Sequence, residues 1–173
     1  MSFEQTLQEQ VQAAEATGTA LCIEGNNSKS FYGRSTRGEV LSVSQHQGII
    51  DYTPSELVIS ARAGTTLAEL ESVLEQQGQM LAFEPAHFGD NATLGGTIAC
   101  AFSGPRRPYA GAARDFVLGV NCVNGKGEQL RLGGQVMKNV AGYDVSRTLT
   151  GSLGTLAIML DIHIRVLPRP ETE

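Results

Sequence analysis

The chain has 173 residues, 41% apolar and 18% charged, with 20 glycines; that suffices for one domain with a real core or two closely packed lobes, and it excludes disorder. Thirteen Lys and Arg against eighteen Asp and Glu leave a net charge of −5, which disfavours nucleic acid as a main partner, so any anion site has to be local. Cys22, Cys100 and Cys122 lack CxxC spacing and point to reduced thiols in a cytosolic protein, and neither a signal peptide nor an apolar run of about eighteen residues marks a secreted or membrane-spanning chain.

Ser2 and Gln5 have the spacing of a capping box, and Phe3, Leu7, Val11 and Ala14 recur at helical spacing until Gly18 stops the run. Residues 20–23 read as a short strand. It empties into Glu24-Gly25-Asn26-Asn27-Ser28-Lys29-Ser30, whose residue types tolerate positive φ or donate hydrogen bonds, so the loop is either an anion cradle or an exposed turn. It lacks the GxxxxGK spacing of a Walker loop, which argues against a nucleoside triphosphatase.

From Gly38 the pattern turns to strands: Leu41 with Val43, Ile49 with Ile50, and Leu57, Ile59 and Ala61 alternating against Val58, Ser60 and Arg62, with Pro54 and Ser55 turning the hairpin. Thr66 with Glu69 starts a second helix, striped by Leu67, Leu70, Val73 and Leu74 and closed by Gly78. Residues 1–78 are expected to form a first lobe and residues 79–173 a second. Residues 80–83 predict a further strand, which Pro85 breaks.

The stretch from Glu84 to Gly104 carries small residues where a core segment would carry Leu or Ile. Gly95 and Gly96 are expected to take left-handed angles and to aim consecutive N–H groups at an anion. Thr93 adds a hydroxyl. Thr97, Ile98, Ala99 and Cys100 read as the first turn of a helix whose positive end favours phosphate. The alternative is a tight turn before a packed helix. Pro105-Arg106-Arg107-Pro108-Tyr109 follows, a stiff basic loop that either aims a cation at phosphate or sits on the surface.

Phe116, Leu118, Val120 and Cys122 alternate as a strand, Gly125-Lys126-Gly127 turns, and Leu130 and Leu132 return in a hairpin. Beyond an irregular stretch and a short helix around residues 145–149 comes a third small-residue loop, Gly151-Ser152-Leu153-Gly154-Thr155. Leu156, Ile158, Leu160, Ile162, Ile164 and Val166 then alternate strictly, with Asp161, His163 and Arg165 on a face expected to be solvated or covered by a partner.

Three small-residue loops beside strands suggest one elongated ligand whose pyrophosphate is held by backbone donors. A Rossmann GxGxxG after the first strand is absent. At these loops the sequence resembles the FAD-binding domain of the vanillyl-alcohol oxidase and p-cresol methylhydroxylase type: Gly25-Asn26-Asn27-Ser28-Lys29 is similar to its first pyrophosphate loop, Ala92-Thr93-Leu94-Gly95-Gly96 to its ATxGG loop and Gly151-Ser152-Leu153-Gly154-Thr155-Leu156 to its GSxGTL segment. Val136-Met137-Lys138-Asn139-Val140-Ala141-Gly142-Tyr143-Asp144, with the Pro-Arg segments at 105–108 and 168–170, narrows the resemblance to FAD-binding subunits of bacterial glycolate oxidases.

The resemblance implies an α+β fold: a two-lobed PCMH-type FAD-binding domain with a small N-terminal α/β lobe and a larger lobe of mostly antiparallel sheet flanked by helices, the cofactor clasped between them. It implies noncovalent FAD, its diphosphate held by Gly25, Asn26, Asn27, Ser28, Lys29 and Ser30 with Thr93, Leu94, Gly95 and Gly96. Ser152 and Gly154 belong to the third cofactor loop, and Ile158 meets adenine through its backbone. Pro85, Gly104, Tyr109 and Gly142 line the flavin or its ribityl chain. Asn26 and Asn27 replace the usual glycines, which Asn manages because it tolerates left-handed angles; Leu153 stands where many relatives have Glu. Neither His46 nor His87 is placed for covalent attachment, and His87 is the histidine nearest the site.

The activity so implied is oxidation of a 2-hydroxy acid, most simply glycolate to glyoxylate, with a second flavin subunit and an iron–sulfur subunit as partners. The expected location is cytoplasmic, peripheral to the inner membrane through the complex. No residue identifies itself as the base or as the cation for the substrate carboxylate, no metal site is expected, and the relatives' C-terminal cap domain is missing from the 173 residues. Two rivals stand beside this reading: a flavin-binding assembly or electron-relay module, and a nucleotide sensor without redox chemistry.

Overall fold

The computed structural model describes residues 2–134 and 144–171. Helix α1 (Phe3–Thr17) begins at a full capping box, in which the Ser2 hydroxyl accepts from the Gln5 N–H at 3.3 Å and the Gln5 carboxamide accepts from the Ser2 N–H at 3.0 Å. It ends on Gly18 at φ 66°. Strands β1 (Leu21–Glu24) and β2 (Glu39–Ser42) form a small parallel pair. Then come β3 (Ile49–Thr53), β4 (Val58–Arg62), α2 (Leu67–Glu75) and the two-residue strand β5 (Gln79–Met80). Residues 81–83, expected as strand, are buried but outside β5.

Helix α3 (Leu94–Cys100) is followed by the short helices α4 (Arg107–Ala110) and α5 (Ala113–Phe116), the hairpin β6 (Val117–Asn124) and β7 (Gln129–Gly133), α6 (Val145–Thr148), β8 (Ala157–Arg165) and β9 (Leu167–Pro168). The main sheet has the order β3-β4-β8-β6-β7 with every neighbour antiparallel, and it takes strands from both sides of residue 78. β5 pairs with β9.

Two cores flank this sheet. In the larger, Leu67, Leu70 and Leu74 of α2 and Leu94 and Ile98 of α3 pack with Phe83 and Phe116 against Ile59, Val120, Ile162 and Ile164. In the smaller, Leu7 and Val11 of α1 and Leu41 and Val43 pack against Val123, Ile158 and Leu160. Full burial of each such side chain contributes about 1.5–3 kcal/mol.

The unbroken alternation of Ile158, Leu160, Ile162 and Ile164 therefore feeds both cores. The cause is a register shift: Asn121 pairs with Asp161, but the next residue of β6, Cys122, pairs with Met159. The extra residue on β8 is a bulge that exchanges the faces of the strand. Ala157 and Met159 accordingly join Ile162 and Ile164 in the larger core.

The polar residues of β8 are covered by this chain itself. Asp161 accepts from Asn121 Nδ2 at 2.8 Å and meets His46 Nε2 at 3.0 Å; His163 Nδ1 lies 2.7 Å from Ser60 Oγ; and the Arg165 guanidinium sits 5.0 Å above the Phe116 ring.

Candidate functional site

Where β1 ends, the chain turns over the start of α3 and encloses a cavity of about 300 Å³. Residues 25–30, Thr93, Gly95, Gly96 and Gly154 all line it. Among the described residues the N–H groups of Gly25, Asn26, Asn27, Ser28 and Lys29 have no acceptor, so a run of main-chain donors is left for a ligand. Asn27 adopts φ 55°, the left-handed angle expected of it, whereas Asn26 does not. Instead Asn26 Nδ2 donates to the Asn91 carbonyl at 2.9 Å and Asn91 Nδ2 donates to the Asn26 carbonyl at 3.4 Å, tying the first loop to the second.

Gly95 and Gly96 do not take left-handed angles; they lie within the first turn of α3. Nor are the N–H groups of this turn free. Leu94 donates to the Thr65 carbonyl and Gly95 to the Ala63 carbonyl, both at 2.8 Å, and Gly96 donates to the Thr93 hydroxyl at 3.2 Å. Space explains the glycines. A Cβ on Gly95 would sit 2.7 Å from Ala63 Cβ, and one on Gly96 would point towards the Lys29 ammonium, 4.0 Å away.

Lys29 is the electrostatic centre of the cavity. Only 9% of it is exposed, its ammonium donates to Ser28 Oγ at 3.3 Å, and no carboxylate lies within ion-pair distance among the described residues. Burial pushes its pKa down, partly countered by the nearby Cys100. The Cys100 thiol in turn is pushed up by burial and eased back by Lys29. A buried cation without a counter-ion is costly, and an anionic ligand would remove that cost.

The third loop hangs on the same helix and strand. Gly151 N–H donates to the Ile98 carbonyl at 3.0 Å and Leu153 N–H to the Ala99 carbonyl at 2.9 Å, while a Cβ on Gly154 would lie 3.3 Å from Ile23 Cβ.

Other expected site residues lie apart from the cavity lining. Leu94 is in the larger core, and Pro85 is buried. Gly104 is packed against the Glu84 carbonyl, where any Cβ would collide. Tyr109 on α4 is 92% exposed. Ser152 is half-buried with no hydrogen-bond partner for its hydroxyl among the described residues. Ile158 pairs with Val123 inside the main sheet, and Gly142 lies outside the described residues. His87 contacts Glu71 at 2.8 Å, away from the cavity, and His46 is buried on Asp161.

The lining also includes Tyr32, Gly33, Arg34, Ser35 and Thr36, which the sequence does not single out, with Cys22, Cys100 of the α3 turn and Leu153 of the third loop. The continuous polar, glycine-containing run up to Gly38 was the available signal for the first five.

An antiparallel sheet with helices, carrying a cation and free main-chain donors in a cavity between loops, defines a domain that binds an anionic cofactor. The family profile described as FAD binding domain matches residues 2–133, and the chain belongs to that family; its cofactor is FAD. The chain is 53% identical over 168 residues to "Glycolate oxidase subunit GlcE" of Escherichia coli, covering 97% of this chain and 48% of that protein. It is 30% identical over 139 residues to "Glycolate oxidase subunit GlcD" of Bacillus subtilis, covering 80% of this chain and 29% of that protein. It thus spans half or less of the length of these relatives. A solved structure of alkyldihydroxyacetonephosphate synthase superposes with a TM-score of 0.74 at 24% identity, over 97% of this chain and 31% of the other, and shows the shared fold.

The residues present fit FAD at its diphosphate: residues 25–29, whose N–H groups have no acceptor among the described residues, line the cavity together with the Lys29 side chain. Among the described residues no helix is long and apolar enough to cross a membrane.

Proposed function

We propose that this chain acts as FAD-binding sequence in a subunit of an oxidoreductase complex that oxidises a 2-hydroxy acid, glycolate to glyoxylate, and passes electrons to a second flavin subunit and an iron–sulfur subunit. The observation that carries the reading is 53% identity to a glycolate oxidase subunit across 97% of the chain. When bound, FAD would supply the two-electron acceptor for oxidation at the carbinol carbon of the 2-hydroxy acid.

The residues of this chain bind and orient. The N–H groups of residues 25–29 and the Lys29 ammonium hold the diphosphate. Gly96 lets it approach the backbone of α3, and the loop at 151–155 closes the cavity on the β1 side. The two lobes contributing these loops clasp the cofactor. The complex is cytoplasmic, peripheral at the inner membrane through its other subunits.

A second reading, a flavin-binding assembly or electron-relay module with turnover in another subunit, is favoured by one feature. Among the described cavity residues the only carboxylate is that of Glu24, and no histidine lines the cavity. Anaerobic addition of glycolate to the FAD-loaded protein separates the two. Bleaching of the flavin absorbance supports turnover at this chain; a flavin that dithionite reduces and no 2-hydroxy acid does supports the relay.

A further inference from the structure

The cavity continues outward as a row of aromatic rings. Tyr32 packs on Phe102 with centroids 4.8 Å apart, Phe102 on Phe88 at 5.0 Å, and Phe88 on Phe31 at 5.1 Å, all tilted. The rings come from three separate segments: the chain just past the loop at 25–30, the loop before α3, and the second residue past α3. Phe88 takes φ 47°, and Ala101, which launches Phe102, takes φ 55°. Left-handed angles are uncommon in residues other than glycine, and both turn a ring into the row.

Three of these four rings remain exposed, and Phe102 is half-buried behind them. Phe31 is 64% exposed, Tyr32 47% and Phe88 42%. Of the six phenylalanines in the chain, Phe83 and Phe116 are fully buried and Phe3 stacks on His46, so the other three make up this row. A contiguous exposed aromatic patch marks a binding surface.

Continuity with the cavity identifies the occupant. Tyr32 lines the cavity and also ends the row, and it follows Ser28 and Lys29 by only a few residues. Leu153, on the opposite loop, lines the cavity beside it and touches Gly33 at the position of a Cβ, 3.6 Å away. FAD carries a flat ring at each end of its diphosphate; the tricyclic isoalloxazine is the longer of the two and the one whose length matches a row of several rings, and from a diphosphate at Lys29 it extends onto Tyr32. We infer that Tyr32, backed by Phe102, Phe88 and Phe31, is the stacking platform for the isoalloxazine ring. This rests on the FAD reading above and adds a ring-recognition site to it.

The test measures FAD and ADP binding to the cofactor-free protein by calorimetry, together with the fluorescence of bound FAD, for wild type, Tyr32→Leu and Tyr32→Trp. Leucine keeps apolar bulk and removes the π face; tryptophan restores it. The expected result is that Tyr32→Leu weakens FAD about 5–10-fold, leaves ADP unchanged, and raises flavin fluorescence by removing an adjacent phenol quencher, with Tyr32→Trp restoring both affinity and quenching. Equal losses for FAD and ADP would place adenine on the row or show only a disturbed diphosphate loop, and would overturn the inference. Unchanged FAD affinity and fluorescence would overturn it too and leave the row to a partner subunit. Unchanged ADP binding also verifies that the variant is folded. Wild-type protein that binds neither ligand would defeat the FAD reading itself, and this inference with it.

Discussion

Gly25 and Thr93 touch so closely that a Cβ on the glycine would lie 2.8 Å from the threonine hydroxyl oxygen. That oxygen accepts from the Gly96 N–H and caps α3, and Thr93 is buried. One contact thus sets the spacing between the first loop, in which the N–H groups of residues 25–29 face no acceptor among the described residues, and the helix whose glycines open the cavity. Asn26 and Asn91 hold the same two segments from the other side.

Gly25→Ala should therefore act on both elements. The new methyl has to displace the Thr93 hydroxyl, which weakens the cap of α3 by about 1 kcal/mol, and it widens the gap between loop and helix. The expected outcome is a lower melting temperature together with FAD affinity reduced about 10-fold, roughly 1.4 kcal/mol. Thr93→Ala combined with Gly25→Ala restores the space but not the cap. Equal FAD affinity in Gly25→Ala and wild type would show that the contact does not set the geometry of the cavity.

Gly96→Val separates folding from cofactor retention. Gly96 has an ordinary helical angle, and its nearest neighbours for a Cβ are Thr93 Oγ1 at 3.1 Å and the Lys29 ammonium at 4.0 Å. The backbone accommodates valine, at a propensity no worse than that of glycine, but the branched methyls grow into the cavity beside Lys29. The cofactor-free variant should melt within a few degrees of wild type and purify without flavin. Flavin retained at wild-type stoichiometry would contradict placement of the diphosphate against this turn.

The sequence announced the elements whose signals are local. The capping box at Ser2, the stop at Gly18 and the hairpin at residues 125–127 are each complete within a few residues. Gly95-Gly96 was legible as special but not as to how, because a glycine pair serves a positive φ and a close backbone approach equally well; the contact with Ala63 decides for the second. The bulge in β8 had no signal, since the alternation continues through it. Likewise nothing local told that Asp161 would be covered by His46, 115 residues away. Tyr32 was missed because its role depends on Phe102 and on the cavity wall, both products of the tertiary fold.

The covered polar face of β8 should make the protein acid-labile in two steps. Burial lowers the pKa of His163 below 6.5, against the pull of Asp161, so the folded protein keeps it neutral while the unfolded chain takes up a proton. Stability falls as pH drops from 6.5 towards that lowered value. Burial opposes the charge on Asp161, but hydrogen bonds from His46 and Asn121 outweigh it and hold the carboxyl below 3.8. Its contribution is complete above 3.8 and is lost as pH falls through the lowered value. His163→Gln should flatten the first step and spare the second; Asp161→Asn should cost about 1–3 kcal/mol at neutral pH. Urea midpoints measured across pH check both, and an unchanged slope just below pH 6.5 in His163→Gln would refute the assignment.

Lys29→Met should move stability and binding in opposite directions. In the cofactor-free protein the buried ammonium is a cost, present in full below its lowered pKa and relieved as pH rises towards the unfolded value of 10.5. Methionine is one atom shorter and removes the charge, so the cofactor-free variant should melt at or above the wild-type temperature. FAD, by contrast, should bind roughly 10–100-fold more weakly, the range of one charge-assisted hydrogen bond. Salt should weaken FAD binding less in the variant than in wild type. Raising pH neutralises the wild-type ammonium, so wild-type affinity should fall on the alkaline side while the variant stays level. Titrations with FAD at increasing pH read this directly: parallel curves, or a variant that binds FAD as tightly as wild type, would remove Lys29 from the diphosphate site.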